Sequence, residues 1–300
     1  MGETPHCERS HCMPGDRPEN RPDAPHTMNQ KSRNLHLQLP AMPVIGASVT
    51  LYDLVDSTND LALQQLEQGA PGGLVVVADR QTAGRGRFSR EWISAPGEDV
   101  MMTVGLRPPS DLVERLSPMA GLAMALTVDE IAGVRSTIKW PNDVRVDGLK
   151  IAGVLIETRV IGDETLAVIG IGVNLVLDPS QWPEIAKTAT SVFAVSGRRV
   201  KRDSALAVLV RRLDELYRRL LARDSLTAEW ADRLDTIGNR VELTPAPGGE
   251  PIKGMAIDVT DGGALVVQLD DGTERVFNAG EVTSQKPAQS PPQTLTGGTK

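Results

Sequence analysis

Aromatic side chains are scarce in this chain: they make up 3% of its 300 residues, although hydrophobic residues of all kinds make up 40%. A core of useful size must therefore be built mainly from Leu, Val, Ile and Ala. Cysteine is scarcer still, with only Cys7 and Cys12. They lie beside His6 and His11 in a Pro- and Arg-rich stretch. This pattern fits either a metal site or a disordered tail, and the missing hydrophobic periodicity favours the tail.

Positive net charge and long apolar runs are also missing. The formal net charge is −7, whereas nucleic-acid-binding domains normally carry a basic face. No apolar run is long enough to cross a bilayer, and the N-terminus has no hydrophobic signal segment. We therefore expect a cytoplasmic protein without a membrane partner, and any DNA binding would have to depend on a local basic patch.

Composition and periodicity divide the chain into four segments. Residues 1–41 and 285–300 carry too few buried-type side chains to fold and are expected to be disordered tails, without a helix-turn-helix before the core. Residues 42–237 are expected to form the main domain, with a helix capped by Ser117 that ends at Gly133 and a long amphipathic helix from Asp203. Residues 238–284 contain short strands between Gly-rich turns, which is typical of a small β-barrel.

A loop rich in Gly and Arg, residues 79–92 (DRQTAGRGRFSREW), separates two apolar runs that are expected to be buried strands, residues 74–77 and 100–104. Its centre, GRGR, alternates glycines, which let backbone N–H groups approach an anion, with arginines, which stay charged and match phosphate geometry. Such a run alone is typical of linkers and RNA-binding segments. Because this run connects buried strands, we interpret it as an anion-binding loop.

Two lysines, Lys139 and Lys150, lie on or beside apolar strands. A lysine is seldom buried unless paired, so each must reach solvent, a carboxylate or a bound anion; an edge or snorkelling position is the alternative. Gly170 and Gly172 leave one face of another apolar strand without side chains, where a ligand or a backbone can approach. Ser57, which precedes an apolar helix, fits either a helix cap or a site residue.

Five short motifs, in this order and at these separations, resemble those of bacterial biotin–protein ligases. They are STN at residues 57–59, Gln81 with GRGR at 84–87, KWPND at 139–143, KIAG at 150–153 and GVN at 172–174. The resemblance extends from about residue 51 to residue 282. It implies an α+β fold in which a mixed β-sheet is flanked by helices, as in class II aminoacyl-tRNA synthetases and biotin synthetases, followed by a small SH3-like β-barrel.

The resemblance also implies a reaction. Such ligases use ATP to convert biotin to biotinyl-5′-AMP and then transfer biotin to a lysine of a biotin carboxyl carrier protein. The implied small molecules are biotin, ATP and Mg²⁺, and the family pattern also allows a homodimer. Bringing a carboxylate to a phosphate requires concentrated positive charge, and the mixed anhydride must be shielded from water.

The motif matches imply the site residues. Those implied to bind biotin are Ser57, Thr58, Asn59, Gln81, Gly84, Arg85 and Gly153, with Arg85 acting largely through its backbone. Those implied to bind the nucleotide are Arg87, Arg90, Trp92, Lys139, Asn142, Asp143 and Asn174. Those implied to act in catalysis are Lys150, Arg87, Arg90 and Lys139, and Asp143 is the implied Mg²⁺ ligand. A neutral ring with N–H and C=O groups needs neutral partners, since burying either unpaired costs about 1–3 kcal/mol.

One position departs from the family pattern. Ser89 stands where a glycine is expected, which predicts a stiffer loop, while Arg87 and Arg90 are kept.

Three other functions share parts of the pattern. A lipoate–protein ligase has the same core and the same adenylation chemistry. A biotin-responsive repressor would need a winged helix, which the aperiodic residues 1–40 disfavour. A pure binding module would bind the small molecule without activating it.

Overall fold

The computed structural model describes residues 31–39 and 43–284, so the Cys7 and Cys12 stretch and the tail predicted at 285–300 lie outside the described residues. No helix in this part of the chain has the length and apolar character needed to cross a membrane. The elements before the C-terminal segment are β1 (Ser32–Asn34), β2 (Ser48–Tyr52), α1 (Thr58–Glu67), β3 (Leu74–Ala78), β4 (Val100–Leu106), α2 (Leu116–Ala132), β5 (Thr137–Lys139), β6 (Asp143–Val146), β7 (Leu149–Ile161), β8 (Glu164–Val173), α3 (Val192–Ser196), α4 (Arg202–Leu221) and α5 (Thr227–Ala231).

The first eight strands form one mixed sheet in the order β1-β2-β3-β4-β8-β7-β6-β5, in which β2 and β3 run parallel and the other neighbours antiparallel. Strands β3 and β4 are buried along their whole length because helices cover both faces. On one face, α1 packs Ala62 and Leu66 against Leu74 and Val76. On the other, α2 and α4 pack against the sheet and each other. The expected mixed sheet with flanking helices is confirmed.

The first strand lies in the stretch predicted to be a tail, so that prediction is wrong for residues 31–39. Strand β1 pairs antiparallel with β2, and the Leu35 N–H continues the pairing by donating to the Val49 carbonyl at 2.8 Å. Leu35, Leu37 and Leu39 pack against the core. Their period of two is a strand signal too short to stand out beside the polar residues around it.

The two helix starts differ from each other in how they are capped. Ser57 caps α1 by accepting the Asp60 N–H at 3.4 Å. The cap predicted at Ser117 is wrong, because α2 begins one residue earlier, at Leu116. There the preceding turn supplies the acceptors, since the Leu116 N–H donates to the Val113 carbonyl at 3.2 Å. A hydroxyl cap is therefore not needed. Gly133 ends the helix at φ 72°, as predicted.

The C-terminal segment, expected to be a small β-barrel, forms a separate five-stranded antiparallel sheet with the order β12-β11-β10-β9-β13. Its strands are β9 (Arg240–Thr244), β10 (Ile252–Val259), β11 (Leu265–Leu269), β12 (Glu274–Phe277) and β13 (Glu281–Ser284). The last strand was not predicted, since four residues with a single buried valine carry little periodicity. This sheet contacts the main domain, where the Trp140 indole N–H donates to the Gly263 carbonyl at 2.9 Å. The start of β13 lies beside the Gly/Arg loop, where Arg90 contacts Glu281.

Candidate active site

A pocket with an interior of about 250 Å³ opens where the Gly/Arg loop, β7, β8 and the start of β13 meet. It gathers nearly all the site residues that the motifs implied. Those that line it are Ser57, Thr58, Asn59, Gln81, Arg85, Arg87, Arg90, Trp92, Lys139, Asn142, Asp143, Lys150, Gly153 and Asn174. Gly84 is the exception among the implied residues. It lies behind Gln81, where a Cβ would come within 2.9 Å of the Gln81 side-chain nitrogen.

One side of the pocket is a neutral floor made by the start of α1 and its neighbours. The Gln81 amide oxygen accepts the Thr58 N–H at 2.7 Å and lies 3.1 Å from the Thr58 hydroxyl. The Thr103 hydroxyl, on fully buried β4, lies 2.8 Å from the Thr58 hydroxyl and 2.7 Å from the Asn59 amide oxygen. Side chains held at both ends have few rotamers left, so this floor is set before a ligand arrives.

Two carboxylates hold the outer part of the floor. Glu157 on β7 accepts the Asn59 side-chain N–H at 2.6 Å and the Arg85 guanidinium at 3.1 Å. Asp60 accepts the same guanidinium at 2.6 and 2.8 Å. The Asp60 hydrogen bond, followed by Glu157, raises the pKa of Arg85 above its ordinary value, against the effect of burial. The Arg85 side chain is thus occupied outside the ligand space, which agrees with a backbone role for this residue in the pocket.

The two glycines of β8 line the pocket, where a ligand can approach them as interpreted, and they also make room for pocket side chains. A Cβ on Gly170 would lie 2.3 Å from the Asn59 amide oxygen. A Cβ on Gly172 would lie 2.3 Å from the Trp92 ring. Real Cβ atoms are not found so close to other heavy atoms, so each glycine makes the space in which one pocket side chain lies.

Lys150 stands at the centre of the opposite, cationic side. Its ammonium lies 2.6 Å from Asp143 Oδ1 and 5.3 Å from the centre of the Trp92 ring. Its backbone is fixed on both sides, because its N–H donates to Thr188 and its carbonyl accepts from Thr190, each at 2.8 Å. An ammonium has three N–H donors and Asp143 uses one, which leaves donors for an incoming anion.

Arg87 and Arg90 reach from the loop to the C-terminal sheet. The Arg87 guanidinium donates to the Gly280 carbonyl at 2.6 Å, and Arg90 pairs with the Glu281 carboxylate at 2.6 Å. Burial lowers the pKa of Arg87, partly offset by Asp143 and Glu281. The Arg90 side chain is 65% exposed. Both present partners are groups that a phosphate could replace.

Lys139, at the end of β5, is half-buried in the pocket wall. Burial lowers its pKa, Arg145 lowers it further, and the carboxylates of Asp143, Glu281 and Asp235 act in the opposite direction. Burial also raises the pKa of Asp235. A partly desolvated ammonium gains most from a new anion, because its charge is poorly compensated before binding.

Two buried polar atoms in the pocket wall have no hydrogen-bond partner among the described residues. They are the indole N–H of Trp92 and the amide oxygen of Asn174. The Asn174 amide N–H is satisfied by the Thr190 carbonyl at 2.9 Å, so its oxygen has a fixed direction. Such atoms are uncommon in folded proteins, and here they offer one donor and one acceptor to a ligand.

The tip of the loop adopts a strained backbone. Phe88 and Ser89 both have φ 56°, in the left-handed region that favours glycine. The loop is closed by the Gly86 N–H, which donates to the Arg90 carbonyl at 2.7 Å, and by the Trp92 N–H, which donates to Gly84 at 3.1 Å. The glycine expected at position 89 therefore has a conformational reason, and Ser89 adopts the same conformation at a cost.

Sequence reasoning did not identify Thr103, Glu157 or the Gly280–Glu281 pair as parts of the site. Thr103 interrupts an apolar strand, and Glu157 follows the apolar run of β7 within the strand. A polar residue in such a place needs a partner, and this signal could have found both. Gly280 and Glu281 carried no such signal. Arg87 and Gly280 are 193 positions apart, and only the packing of the C-terminal sheet brings them together.

Known protein families match most of the described chain. The model of the biotin/lipoate A/B protein ligase family matches residues 51–174. The model of the biotin protein ligase C-terminal domain matches residues 236–283. The first range contains every motif and the second contains the C-terminal sheet that meets Arg87 and Arg90.

Individual relatives agree with these models. The chain is 31% identical over 242 residues to the bifunctional ligase/repressor BirA of Bacillus subtilis, covering 79% of this chain and 74% of the relative. It is 32% identical over 248 residues to a biotin–[acetyl-CoA-carboxylase] ligase of Mycobacterium tuberculosis, covering 79% and 90%. The biotin protein ligase from Aquifex aeolicus, solved in complex with biotin and ATP, superposes with a TM-score of 0.67 at 25% identity, covering 80% of this chain and 99% of that one. This chain belongs to the biotin protein ligase family.

Proposed function

We propose that this protein activates biotin with ATP to biotinyl-5′-AMP, releasing pyrophosphate, and transfers the biotinyl group to a lysine of a biotin carboxyl carrier protein. The observation that carries the proposal is that one pocket joins a neutral hydrogen-bonding floor to four cationic side chains, Arg87, Arg90, Lys139 and Lys150. A neutral ring system with a carboxylate at the end of a tail fits such a pocket in one orientation. Family membership supports the same reaction.

The floor is suited to the ureido ring of biotin. The Gln81 oxygen is occupied by Thr58, so the Gln81 amide N–H groups are directed toward other acceptors. In the proposed complex the ring carbonyl accepts from Gln81 and backbone N–H groups near Arg85, and the ring N–H groups donate to hydroxyls of Ser57 and Thr58. Asn59 supports these residues from beneath. Leaving either ring group unpaired would cost on the order of 1–3 kcal/mol, so the match selects the ring.

Lys150 is proposed to act on the reacting atoms. From its place beside Asp143 it can donate both to the biotin carboxylate and to the α-phosphate, and so reduce the repulsion between the two anions as they approach. Gly153 leaves the space for this side chain, since a Cβ there would lie 3.0 Å from the Lys150 ammonium. The attacking oxygen forms the new bond to phosphorus while the pyrophosphate oxygen leaves.

Arg87, Arg90 and Lys139 are proposed to hold the phosphates, with Asn142 orienting Arg87 at 3.4 Å. Trp92 and Asn174 are proposed to contact the nucleotide or the adenylate through their two unpartnered polar atoms. Once the adenylate forms, Arg87 and the loop backbone keep water from the mixed anhydride.

Mg²⁺ is the expected metal, and the residues present fit an ion that is bound by one carboxylate together with phosphates and waters. No three His, Cys, Asp or Glu side chains among residues 31–39 and 43–284 come together to hold a metal ion. The pocket offers Asp143 as a single carboxylate beside the Asn142 amide. Mg²⁺ at nucleotide sites is commonly bound by one or two carboxylates together with phosphates and waters. Asp143 would supply the protein ligand, and the ion would neutralise phosphate charge.

In the second half-reaction the carrier lysine attacks the acyl carbonyl as a neutral amine and AMP leaves. Opening of the Gly/Arg loop admits that lysine, and the arginines release AMP as the bond to the acyl group breaks. The pocket's own positive charge lowers the proportion of protonated amine next to it, which favours attack.

The test is pyrophosphate exchange into ATP, measured with biotin and separately with lipoate. Biotin-dependent exchange followed by labelling of a carrier protein is expected. Exchange with lipoate alone would identify a lipoate ligase, which the name of the matched family also covers. Exchange with neither compound would indicate a binding module that does not activate the small molecule. The polar floor favours biotin, since lipoate's dithiolane ring cannot satisfy Thr58 and Gln81.

Three further expectations stay predictions. The protein is proposed to be cytoplasmic and not to bind DNA, and the family pattern allows a homodimer. Sedimentation of the purified chain would measure the dimer, and a gel shift with operator-like DNA is expected to be negative.

A further inference from the structure

We propose that Glu157 is a positioning residue that sets which groups of the biotin-binding floor donate hydrogen bonds and which accept them. The inference rests on the proposed function, since it concerns how the floor recognises the ureido ring. Glu157 does not line the pocket. It acts through Asn59, Thr103 and Thr58, which connect its carboxylate to the pocket surface.

The direction of each hydrogen bond follows from the chemistry of the groups. A carboxylate only accepts, so Asn59 must turn its amide N–H toward Glu157, at 2.6 Å. The Asn59 oxygen then faces Thr103, at 2.7 Å. An amide oxygen also only accepts, so the single proton of the Thr103 hydroxyl is used there. Thr103 consequently has no proton left to give to Thr58.

The end of this chain of bonds is the pocket surface. The Thr58 hydroxyl must donate into the floor, either to Thr103 at 2.8 Å or to Gln81 at 3.1 Å. Its lone pairs are left for the ligand, so it presents an acceptor. The Gln81 oxygen already accepts the Thr58 N–H, so Gln81 presents a donor. An acceptor beside a donor is the complement of an N–H beside a carbonyl, as in a ureido ring.

The protein is built to keep Asn59 in this place. Gly170 leaves the space for it, since a Cβ there would lie 2.3 Å from the Asn59 oxygen. Asn59 is 5% exposed. Arg85 and Asp60 hold Glu157 from the outer side, since Arg85 pairs with both carboxylates at once. The carboxylate is therefore held in position by Arg85, and it is the nearest acceptor of the Asn59 side-chain N–H, at 2.6 Å compared with 3.4 Å for the Leu155 carbonyl.

Replacing the carboxylate by an amide removes the stronger of the two contacts that set the direction of the Asn59 amide, and it leaves only the 3.4 Å contact of its N–H with the Leu155 carbonyl. In Glu157→Gln the new side chain can donate as well as accept, so Asn59 can reverse and present its N–H groups to Thr103. Thr103 would then accept from Asn59 and donate to Thr58. One of the two lone pairs of the Thr58 oxygen would then be occupied by a floor donor, so the surface presented to the ring would offer a weaker acceptor. The cationic side, where ATP is proposed to bind, is untouched by this change.

The test compares the KM for biotin with the KM for ATP in pyrophosphate exchange. In Glu157→Gln the KM for biotin is expected to rise about tenfold, the effect of losing one charge-assisted hydrogen-bond arrangement, while the KM for ATP and kcat stay near wild type. The control is Glu164→Gln, which removes another carboxylate of the same hairpin, one that pairs with Arg107 outside the pocket lining. It should change neither KM.

The possible outcomes separate the two proposals. Absence of biotin-dependent exchange in the wild type would contradict the proposed function. Normal exchange in the wild type with an unchanged biotin KM in Glu157→Gln, or an equal rise in both KM values, would overturn the inference. If Glu157→Gln does not fold, Thr103→Val decides. It removes only the middle hydroxyl of the chain of bonds, and a biotin KM within twofold of wild type would then overturn the inference.

Discussion

The neutral floor and the cationic side of the same pocket are held in different ways. In the floor, Thr58, Asn59 and Gln81 are each bonded to neighbouring side chains of the main domain. On the cationic side, Arg87 and Arg90 are bonded to the C-terminal sheet, at Gly280 and Glu281. The floor therefore has one arrangement, whereas the cationic side has partners that a ligand phosphate can take over.

This difference corresponds to two tasks. Recognition of a small neutral ring needs donors and acceptors that are fixed before binding, because the ring offers little energy to rearrange them. Handling of phosphates, in contrast, must begin with ATP, continue with an adenylate and end with AMP. Cationic side chains that exchange one anion or carbonyl partner for another can bind each of these ligands in turn. The loop can open between the steps.

The comparison is tested most strongly at Lys150. Lys150→Ala is expected to reduce kcat for pyrophosphate exchange by about 10²–10³-fold while the biotin KM changes little, because the charge acts on the transition state and the floor is separate. Lys187→Ala, which removes an exposed lysine outside the pocket lining, is the matched control. A rise in the biotin KM with an unchanged kcat would show that Lys150 belongs to recognition instead.

Arg87→Gly is the next largest expected effect. Loss of the guanidinium removes the contact with Gly280 and the barrier over the anhydride, so biotinyl-adenylate should escape about tenfold faster and label bystander lysines. Labelling of serum albumin in the absence of carrier measures the escape.

The control for this prediction is Arg223→Gly. Arg223 is exposed and has φ 70°, so glycine fits its backbone, and it does not line the pocket. Equal albumin labelling by the wild type and Arg87→Gly would contradict a retaining role for Arg87.

Lys139→Met tests the cationic side through the pH dependence of the protein's stability. The half-buried Lys139 ammonium destabilises the fold at neutral pH, since burial lowers its pKa. Between the lowered folded pKa and the ordinary unfolded one, the unfolded chain binds more protons, so stability of the wild type rises with pH there. The variant should melt at a higher temperature than the wild type at pH 7, and this gain should shrink towards pH 10.

The same variant is expected to raise the KM for ATP several-fold and leave that for biotin unchanged. Lys187→Met controls for the loss of an exposed lysine. A melting difference that is equal at pH 7 and pH 10 would rule out the desolvation account.

Ser89→Gly has the smallest expected effect. Glycine adopts the left-handed conformation without the cost of about 1–2 kcal/mol that a residue with a side chain incurs. It also gives the unfolded chain more conformational entropy, which opposes folding by about 0.5–1 kcal/mol. The net gain in the free energy of unfolding should be about 1 kcal/mol or less, measured by denaturant titration. A loss of stability would mean that the serine side chain makes a compensating contact.

Much of the site was predictable because the motifs are local. Residues 57–59, 84–87, 139–143 and 150–153 are each short continuous segments, and the resemblance of these motifs to those of biotin–protein ligases implied their roles. What could not be predicted depended on contacts between distant segments. Gly170 and Gly172 also make room for Asn59 of α1 and Trp92 of the Gly/Arg loop, and only the packing of these two segments on β8 decided that. The Ser117 cap was wrong because the turn before it supplied carbonyl acceptors instead.

The sequence by itself determined most of the strands of the separate C-terminal segment, and the resemblance of its motifs to those of biotin–protein ligases implied the architecture and the residues that gather in the pocket. Hydrophobic periodicity and turn chemistry act over a few residues, so they can be read without coordinates. Only the tertiary structure decided the partners of those residues. Glu157 reaches Asn59 across 98 positions and Gly280 reaches Arg87 across 193. Hydrogen bonds of this kind depend on distances of a few tenths of an ångström, which are set when the sheets and helices pack.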